Sequence, residues 1–591
     1  MFMAVRFPII PLIAISLAAL LLVACSAPIP YKPTNLPREN YAYAQHYLTW
    51  LIEKEMADNN ITGLSIALVD DQKLVWSSGF GYSDAENKIP ATSGTAYRMG
   101  SIAKLITATA AMQMAEQKQM DIDQPLSHYL PGFSIKSRFH SAEQITPRNI
   151  MSHHSGLPAN FLRGMLSPNP RYFTTLVNDV QDEYVAFPPN YVFAYSNLGM
   201  TLLGAAIEHT SGQNFNRHIK RSLFDPLEMR DSYFSSQPEL KGYKDGKLSE
   251  ALPLRDLPSG GLVSSVDDLS RFMKMVFAGG RAGNRQLLKP ETLAEMFRPQ
   301  NDHVPLDISR RSGLGWMLNY SEVRRGGLVA NHGGSLMNFY SEMKILPEHK
   351  LGVVVAINSA AAHAVVNKIA AEALKVMLET KTGIAQPEKQ NTPFPKHLKA
   401  EAIDTGYFDT VAGVVKIGTL FGNLNAELMG HSFQLAPNGD GWFGVKYNLL
   451  GLLPISFSPL DDVRLAMTRI AGRDVLIGSM GDETTLVGNK LQPPASREPL
   501  LDYVGKYELV SQGIGVEPTK LALLYEDGMF IAECAFAQLP GIILRVSVNP
   551  ISDTEALISG LGPSRGETIR LFKNKDEKHL LYSGLDMRKI N

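Results

Sequence analysis

The chain has 591 residues, which predicts several domains, and 45% of them are hydrophobic, which excludes a disordered protein. Its 57 basic and 58 acidic residues leave a formal net charge of −1, so general nucleic-acid binding is not expected, because neutralising phosphates requires clustered positive charge. The only cysteines, Cys25 and Cys534, exclude a disulfide framework and a cysteine-based zinc site.

The first segment, residues 1–24, has the pattern of an export signal. One positive charge, Arg6, precedes an apolar run that ends in Leu22-Val23-Ala24-Cys25. An uncleaved transmembrane helix is the alternative, because a run of about 18 apolar residues is just long enough to span a bilayer. Prolines in the first half of the run and small residues before the cysteine favour cleavage instead.

The small residues before Cys25 resemble the lipobox of bacterial lipoproteins. The resemblance implies cleavage before this cysteine, a lipid on it, and a membrane anchor. Ser26 follows, and the absence of an acidic residue there favours the outer membrane over the inner one. The expected location is therefore the bacterial cell envelope, facing the periplasm. Residues 25–40 contain four prolines and predict an extended tether.

Residues 41–380 mix helical and strand patterns. The predicted elements, in chain order, are a helix at about 41–59, a hairpin over 61–84, a helix over 101–118, strands within 327–334 and 337–359, and a helix at about 362–380. Strands from both ends of the segment, with helices between them, predict an α/β domain.

The rest of the chain is predicted to be all β. Residues 381–399 contain three prolines and no apolar period, which indicates a linker. Short apolar runs follow, and similar stretches near 405 (TGYFDTVAGVVKI) and 501 (LDYVGKYELV) predict two β domains, 400–492 and 498–591. Two small barrels and one larger sandwich both fit this pattern. Cys534 falls in an apolar run and is predicted to be buried.

The first candidate motif is Ser101 and Lys104, at the start of the 101–118 helix. Their spacing places both on one helix face. A serine hydroxyl becomes a nucleophile when a base is near, and a lysine with a lowered pKa can be that base. Ser341 and Lys344 have the same spacing, but in a strand pattern, where they face opposite sides. A helix N-cap is the alternative role for Ser101.

Two further motifs follow in the chain. Tyr195-Ser196-Asn197 comes between a proline-rich turn and a helical stretch, which predicts a loop facing a cleft; a core tyrosine with a capping asparagine is the alternative. Asn331-His332-Gly333-Gly334-Ser335 ends a strand pattern, where glycines permit close approach of a substrate and a backbone N–H can donate to an oxyanion. A glycine-rich turn with a surface histidine is the alternative.

The order Ser-x-x-Lys, Tyr-x-Asn, His-x-Gly resembles that of the serine beta-lactamase and penicillin-binding-protein-like family. The closest branch contains class C beta-lactamases, D-alanyl-D-alanine carboxypeptidases, D-aminopeptidases and esterases. Supporting stretches are residues 120–131, 150–157 and 260–265. The resemblance covers residues 41–380 and implies an antiparallel sheet flanked by helices, with a helical subdomain. Relatives with appended lipocalin-like barrels use them to shape the cleft; a passive spacer is the alternative.

The resemblance also implies roles for the motif residues. Ser101 would be the acylated nucleophile, Lys104 would take or orient its proton, and Tyr195 would move protons between nucleophile and leaving group. The backbone N–H groups of Ser101 and Ser335 would form the oxyanion hole. Water would release the acyl group, and neither a metal nor a cofactor is expected. Asn197 would hydrogen-bond the substrate amide or Lys104. The residues expected to contact the substrate or oxyanion are Asn197, His332, Gly334 and Ser335.

Two residues depart from the family pattern. His332 replaces a lysine that true beta-lactamases use to attract a substrate carboxylate, and a histidine with an ordinary pKa of about 6.5 is mostly neutral near pH 7. Asn338 replaces a glycine that many relatives have before the phenylalanine, and asparagine tolerates a positive φ. The first departure favours esters, amides or peptides without that carboxylate.

The leading hypothesis is an exported serine hydrolase acting through an acyl-enzyme on cell-wall D-amino-acid peptides or small esters and amides. The alternatives are a beta-lactamase and a catalytically silent protein that binds peptidoglycan or a partner. The intact set of Ser101, Lys104 and Tyr195 argues against silence. The sequence leaves open the oligomeric state and which of Lys104 and Tyr195 is the main base.

Overall fold

A computed structural model describes most of the chain beyond its first residues. The predicted export signal, residues 1–24, and the predicted lipidation site, Cys25, lie outside it. None of the helices in the described residues is both long and apolar enough to cross a membrane. The described ranges are 28–139, 144–237, 239–360, 363–387, 392–449, 453–455, 460, 462–480, 483–495, 498–510, 518–536 and 543–590.

An eight-stranded antiparallel sheet forms the centre of the domain over residues 41–380. The predicted hairpin is confirmed, because Gly63–Asp70 pairs with Lys73–Asp84. Gly63–Asp70 also pairs with Leu351–Ile357, so strands from both ends of the segment meet as predicted. In spatial order the strands are Arg311–Ser312, Met317–Asn319, Val329–Leu336, Phe339–Leu346, Leu351–Ile357, Gly63–Asp70, Lys73–Asp84 and Ile89–Pro90.

Helices cover both faces of this sheet. Ala42–Asp58 and His363–Thr382 bury their apolar sides against one face. On the other side, Val266–Phe277 packs against the sheet, and the helical subdomain contains Ala103–Glu116 and Asn197–Ser211. The remaining α-helices are Leu126–Tyr129, Pro147–Met151, Leu176–Asp179, Phe215–Ile219, Leu257–Gly260, Pro290–Met296 and Glu498–Leu501. The α/β fold predicted from the sequence is confirmed.

The helix Ala103–Glu116 is buried almost all round, from Ala103 to Met114. Its small and apolar residues explain this position, since a helix without a polar face belongs in a core. The strand Tyr97–Gly100 leads directly into it and pairs with Leu262–Ser264, which in turn pairs with Tyr233–Phe234. Further two-stranded pairs are Gly242–Lys244 with Lys247–Ser249 and Arg281–Ala282 with Arg285–Gln286.

The C-terminal region forms two closed eight-stranded barrels, which decides between the predicted alternatives. The first consists of Gly406–Thr410, Gly413–Leu420, Asn423–Leu428, His431–Pro437, Phe443–Leu449, Val463–Ile470, Arg473–Met480 and Glu483–Lys490, with Leu453–Ile455 paired to its fifth strand. The second consists of Gly505–Leu509, Pro518–Glu526, Met529–Phe536, Ile543–Pro550, Glu555–Ile558, Thr568–Asn574, Glu577–Tyr582 and Leu585–Lys589. The two similar sequence stretches supply the first strand of each barrel.

Both barrels pack against the helical subdomain. Phe187 and Leu306, from the domain over residues 41–380, share one apolar cluster with Trp442 of the first barrel and Leu561 of the second. Trp442 is 1% exposed, so the cluster is a core shared by three units. Burying this much apolar surface stabilises the contact, because each fully buried large side chain contributes roughly 1.5–3 kcal/mol.

Candidate active site

The structure brings Ser101 and Lys104 together at the start of the buried helix. Lys104 lies in the first helical turn and is fully buried, and its Nζ is 3.0 Å from Ser101 Oγ. The N-cap position belongs to Ile102, and no side chain caps this end, so the capping alternative for Ser101 is wrong. Ser341 and Lys344 lie in the strand Phe339–Leu346, as their pattern predicted.

The other contacts of Lys104 determine what it can do to Ser101. Its Nζ donates to Asn197 Oδ1 at 2.7 Å and to the Ser259 carbonyl at 2.8 Å. Both of these oxygens can only accept. Burial lowers the pKa of Lys104 well below its ordinary value, although the carboxylate of Asp256 opposes the shift. A neutral amine would donate its two N–H groups to these acceptors. Its lone pair would then be available to accept the proton of the Ser101 hydroxyl.

Tyr195 completes the cluster from the other side. Its phenol is hydrogen-bonded to Ser101, and its ring centroid is 4.7 Å from Lys104 Nζ. Burial raises the pKa of Tyr195 above its ordinary value, while the hydrogen bond to Ser101 opposes the rise, so the phenol is protonated at neutral pH. Tyr195 is therefore a proton donor in this state of the site.

Asn197 is free to contact Lys104 because another residue caps its helix. The helix Asn197–Ser211 begins at Asn197, and Ser196 Oγ accepts from Gly199 N at 2.9 Å as the N-cap. The alternative of a capping asparagine at 197 is therefore wrong. Instead, the first residue of the helix directs its amide oxygen to the buried amine.

His153 is a site residue that the sequence reading missed. In the sequence it lies within residues 150–157, a stretch that supports the family resemblance. In the structure the ring of His153 lies against the ring of Tyr195, with centroids 4.1 Å apart, and its Nδ1 accepts from Ser196 N at 3.2 Å. Burial lowers the pKa of His153 well below its ordinary value, so the ring is a neutral support for Tyr195. His154 has the structural role instead, since its Nε2 is 2.7 Å from Asp307 Oδ2.

The third motif lies on the strand Val329–Leu336, beside Gly100. Gly100 has a φ of +53°, and a Cβ there would lie 2.6 Å from the backbone nitrogen of Ser335, so only glycine permits this approach. The hairpin after the strand has a two-residue loop, in which Met337, rather than Asn338, has the positive φ.

The pairing in that hairpin directs a backbone donor into the site. Leu336 and Phe339 flank the two-residue loop and form its hydrogen-bonded pair. Ser335 therefore belongs to the next, non-hydrogen-bonded pair and points its N–H away from the partner strand, towards the Gly100 side. This places the Ser335 N–H near the start of the nucleophile helix, where the sequence predicted an oxyanion hole formed with Ser101.

His332 is buried rather than a surface histidine. It is 3% exposed, and its ring centroid lies 6.3 Å from that of Tyr195. Its Nδ1 is 2.7 Å from the Gly333 carbonyl and therefore donates to it, which leaves Nε2 as a buried acceptor with no partner among the described residues. Burial is the largest cause of the lowered pKa of His332, which falls to about 4. The ring is thus neutral at pH 7.

The second barrel supports the site from behind Asn197. Asn197 Nδ2 donates to Asn160 Oδ1 at 2.9 Å, and Ser583 Oγ of the barrel donates to the Asn160 carbonyl at 3.0 Å. Leu162 N donates to the Ser583 carbonyl at 3.1 Å, and Ala159 N donates to Glu567 Oε1 at 2.8 Å. The segment Ala159–Arg163, which we call the cleft wall, is therefore held by the second barrel.

Comparison with known proteins agrees with this geometry. The sequence model of the family described as Beta-lactamase matches residues 48–376, more than half of the chain. The chain belongs to the beta-lactamase family.

Within the described residues, no group of three or more histidine, cysteine or acidic side chains is arranged to hold a metal ion.

Curated relatives are distant and longer than the matched region. Protein flp of Staphylococcus aureus is 24% identical over 331 residues, which cover 53% of this chain and 63% of that protein. The mitochondrial serine beta-lactamase-like protein LACTB of Homo sapiens is 24% identical over 377 residues, which cover 48% of this chain and 69% of LACTB. The aligned region therefore spans less than two thirds of the staphylococcal protein.

Solved structures share the fold. The octameric penicillin-binding protein homologue from Pyrococcus abyssi is 22% identical with a TM-score of 0.50, covering 75% of this chain and 98% of its own. SurE, crystallised with D-Leu, is 21% identical with a TM-score of 0.53, covering 76% of this chain and 99% of its own. At these identities the likeness concerns the fold alone.

The lowered pKa of His332 predicts a specific pH dependence of stability. The unfolded chain binds a proton at this ring below its ordinary pKa of about 6.5, whereas the folded chain does so only below about 4. The free energy of unfolding is therefore highest above pH 6.5. As the pH falls from 6.5 to 4, protonation of this ring in the unfolded chain lowers it progressively, by up to about 3 kcal/mol. We expect His332→Gln to remove this part of the pH dependence in urea unfolding at pH 7 and pH 4.5.

The exposed His128 provides the matched control for that measurement. Its replacement, His128→Gln, should leave the pH dependence as in the wild type, because an exposed ring keeps its hydration on folding. Equal pH dependence in the wild type and His332→Gln would contradict the buried, neutral state of His332.

Proposed function

We propose that the protein is a serine hydrolase that forms an acyl-enzyme on Ser101. The observation that supports this most directly is the buried amine of Lys104, 3.0 Å from Ser101 Oγ, with two obligate acceptors occupying its N–H bonds. A lysine held in this way serves as a base at neutral pH. A protein that only binds ligands has no need to bury such an amine beside a serine.

The proposed reaction begins with transfer of the Ser101 proton to Lys104 as Oγ attacks the substrate carbonyl carbon. The carbonyl oxygen becomes an oxyanion, which the N–H groups of Ser101 and Ser335 stabilise. When the carbonyl re-forms, the bond to the leaving group breaks, and Tyr195 donates a proton to that group and regains one from Lys104. Water then attacks the acyl-enzyme by the same route and frees Ser101. Lys104 is thus the base and Tyr195 the acid of the acylation step.

The neutral ring of His332 favours substrates that have no carboxylate to be bound by a permanent positive charge at this position. A neutral ring with a free Nε2 accepts a hydrogen bond but does not attract a carboxylate. We therefore favour esters, amides and D-amino-acid peptides of the cell wall over beta-lactams. SurE, a structural neighbour, was crystallised with D-Leu, which is compatible with D-amino-acid substrates here. The alternatives remain a beta-lactamase and a silent protein that binds peptidoglycan or a partner.

Intact-mass spectrometry on residues 26–591, which include every described residue, tests the proposal. The protein is incubated with a fluorophosphonate, a penicillin and a short-chain nitrophenyl ester, each beside Ser101→Ala. We expect a fluorophosphonate adduct and ester turnover in the wild type only. A stable penicilloyl adduct would indicate a D,D-peptidase, and rapid penicillin hydrolysis a beta-lactamase. If no reagent reacts with the wild type, the acyl-enzyme proposal fails in favour of a binding protein.

Tyr195→Phe should separate substrates by their leaving groups. An amine must be protonated to leave, whereas a nitrophenolate leaves as an anion, so the missing phenol should affect amides far more. We expect kcat/KM for a D-amino-acid amide to fall by about 10²–10⁴-fold, the usual contribution of a positioned acid, and that for the nitrophenyl ester to fall much less. Equal losses for both substrates would exclude Tyr195 as the leaving-group acid.

Attachment to the outer membrane through a lipid on Cys25, facing the periplasm, is the proposed location. Its support is the lipobox-like sequence before Cys25. In a Gram-negative host the full chain should appear in the outer-membrane fraction and incorporate labelled palmitate. Cys25→Ser should abolish the labelling, whereas labelling that survives this change would place the lipid elsewhere.

A further inference from the structure

The second barrel contains a cavity of about 450 Å³ that opens to solvent and is also lined by residues of the neighbouring units. The interior of an eight-stranded barrel is either filled by side chains or just wide enough for one small ligand. An apolar cavity of about 150 Å³ already binds benzene. The space here is three times larger and falls within the range of roughly 300–1,000 Å³ that is usual for small-molecule sites.

The lining of this cavity is apolar. On the strand Met529–Phe536, Ala532 and Cys534 line the cavity, while Ile531, just before Ala532, packs against the first barrel. Further apolar side chains of the lining are Leu521, Leu523, Leu544, Val546, Val548 and Leu580. A ligand of this interior must therefore be apolar over most of its surface.

The tyrosine hydroxyls beside the cavity are hydrogen-bonded, whereas Arg545 Nε and Glu533 Oε2 of its lining have no hydrogen-bond partner among the described residues. The hydroxyl of Tyr507 donates to the Tyr503 carbonyl, and that of Tyr582 donates to Glu567 Oε2. The two tyrosines thus present ring surface to the interior. The charged groups of the lining occur in ion pairs, Arg545 with Glu533 at 3.1 Å and Arg565 with Asp409 at 2.6 Å.

The cavity extends along the barrel axis. The inward residues Leu544, Val546 and Val548 follow one strand over about 13 Å. Leu500 lies at the end where the barrel's first strand begins, and Leu162 of the domain over residues 41–380 completes the lining at the other end. An elongated shape of this kind fits a chain better than a compact ring system.

We propose that the second barrel binds one linear hydrocarbon chain of the fatty-acyl class in this cavity, at a site separate from Ser101. The occupant would contact Leu162 directly. It would also contact Tyr582, whose partner Glu567 holds Ala159 N. A bound chain therefore lies against the cleft wall without entering the site of acylation.

Fluorescence titration of residues 26–591 with 1-aminoanthracene, followed by dodecanoate, tests the proposal. We expect saturable binding of one probe molecule and its displacement by dodecanoate. Ala532→Phe, which fills the interior, should weaken both ligands at least tenfold. Ala535→Phe is the matched control, because Ala535 is on the same strand but outside the lining. This variant should bind both ligands with wild-type affinity. Ser101→Ala should also bind normally, so failure of the hydrolase proposal leaves this result unaffected.

The alkylation rate of Cys534 tests the proposal in the wild-type protein, without the Ala532→Phe variant. It is the only thiol in residues 26–591, lines the cavity, and has a pKa raised to about 11 by burial. Saturating dodecanoate should slow its alkylation by N-ethylmaleimide at least tenfold in the wild type. If Ala532→Phe does not fold, this alkylation rate alone tests whether dodecanoate occupies the cavity.

Three outcomes would overturn the proposal. The first is the absence of saturable binding by either ligand. The second is alkylation of Cys534 at the same rate with and without dodecanoate. The third is probe binding that dodecanoate does not displace, which would indicate a site for compact rings rather than chains.

Discussion

The burial of one amine constrains the whole site. Lys104 is fully buried on a helix that is itself buried almost all round. An ammonium group in such a place is costly unless it loses its proton or is fully paired, and its partners include only one group with a proton to give, the hydroxyl of Ser101. The requirement to satisfy this amine fixes the positions of Asn197 and Ser259 around it.

The polar contacts that begin at Lys104 continue to the far end of the chain. Asn197 bonds Asn160, and the carbonyl of Asn160 accepts from Ser583 of the second barrel. Gly584, next to Ser583, packs so closely on Phe161 that a Cβ would lie 2.5 Å from its ring. The second barrel is therefore a structural support of the site around Lys104.

The sequence predicted the local parts of this arrangement and missed the distant ones. Ser101 and Lys104 are one helical turn apart, so their proximity could be predicted from spacing, as could the hairpin and the two β domains, whereas the choice between two barrels and one sandwich could not. The contact of Asn160 with Ser583 joins residues 423 positions apart, and no periodicity reveals such a pair. His153 could not be assigned from the sequence, because its contact with the ring of Tyr195 depends on tertiary packing rather than on neighbouring residues.

The dependence of the cleft wall on Ser583 and Glu567 also orders the assembly of the site in time. A ribosome makes the wall about 400 residues before the barrel turn that fixes it. The barrel in turn closes only when Leu585–Lys589 pairs with Gly505–Leu509. A nascent or truncated chain thus has Ser101 and Lys104 but an unsupported cleft wall, so full assembly of the site is delayed until synthesis has passed the second barrel.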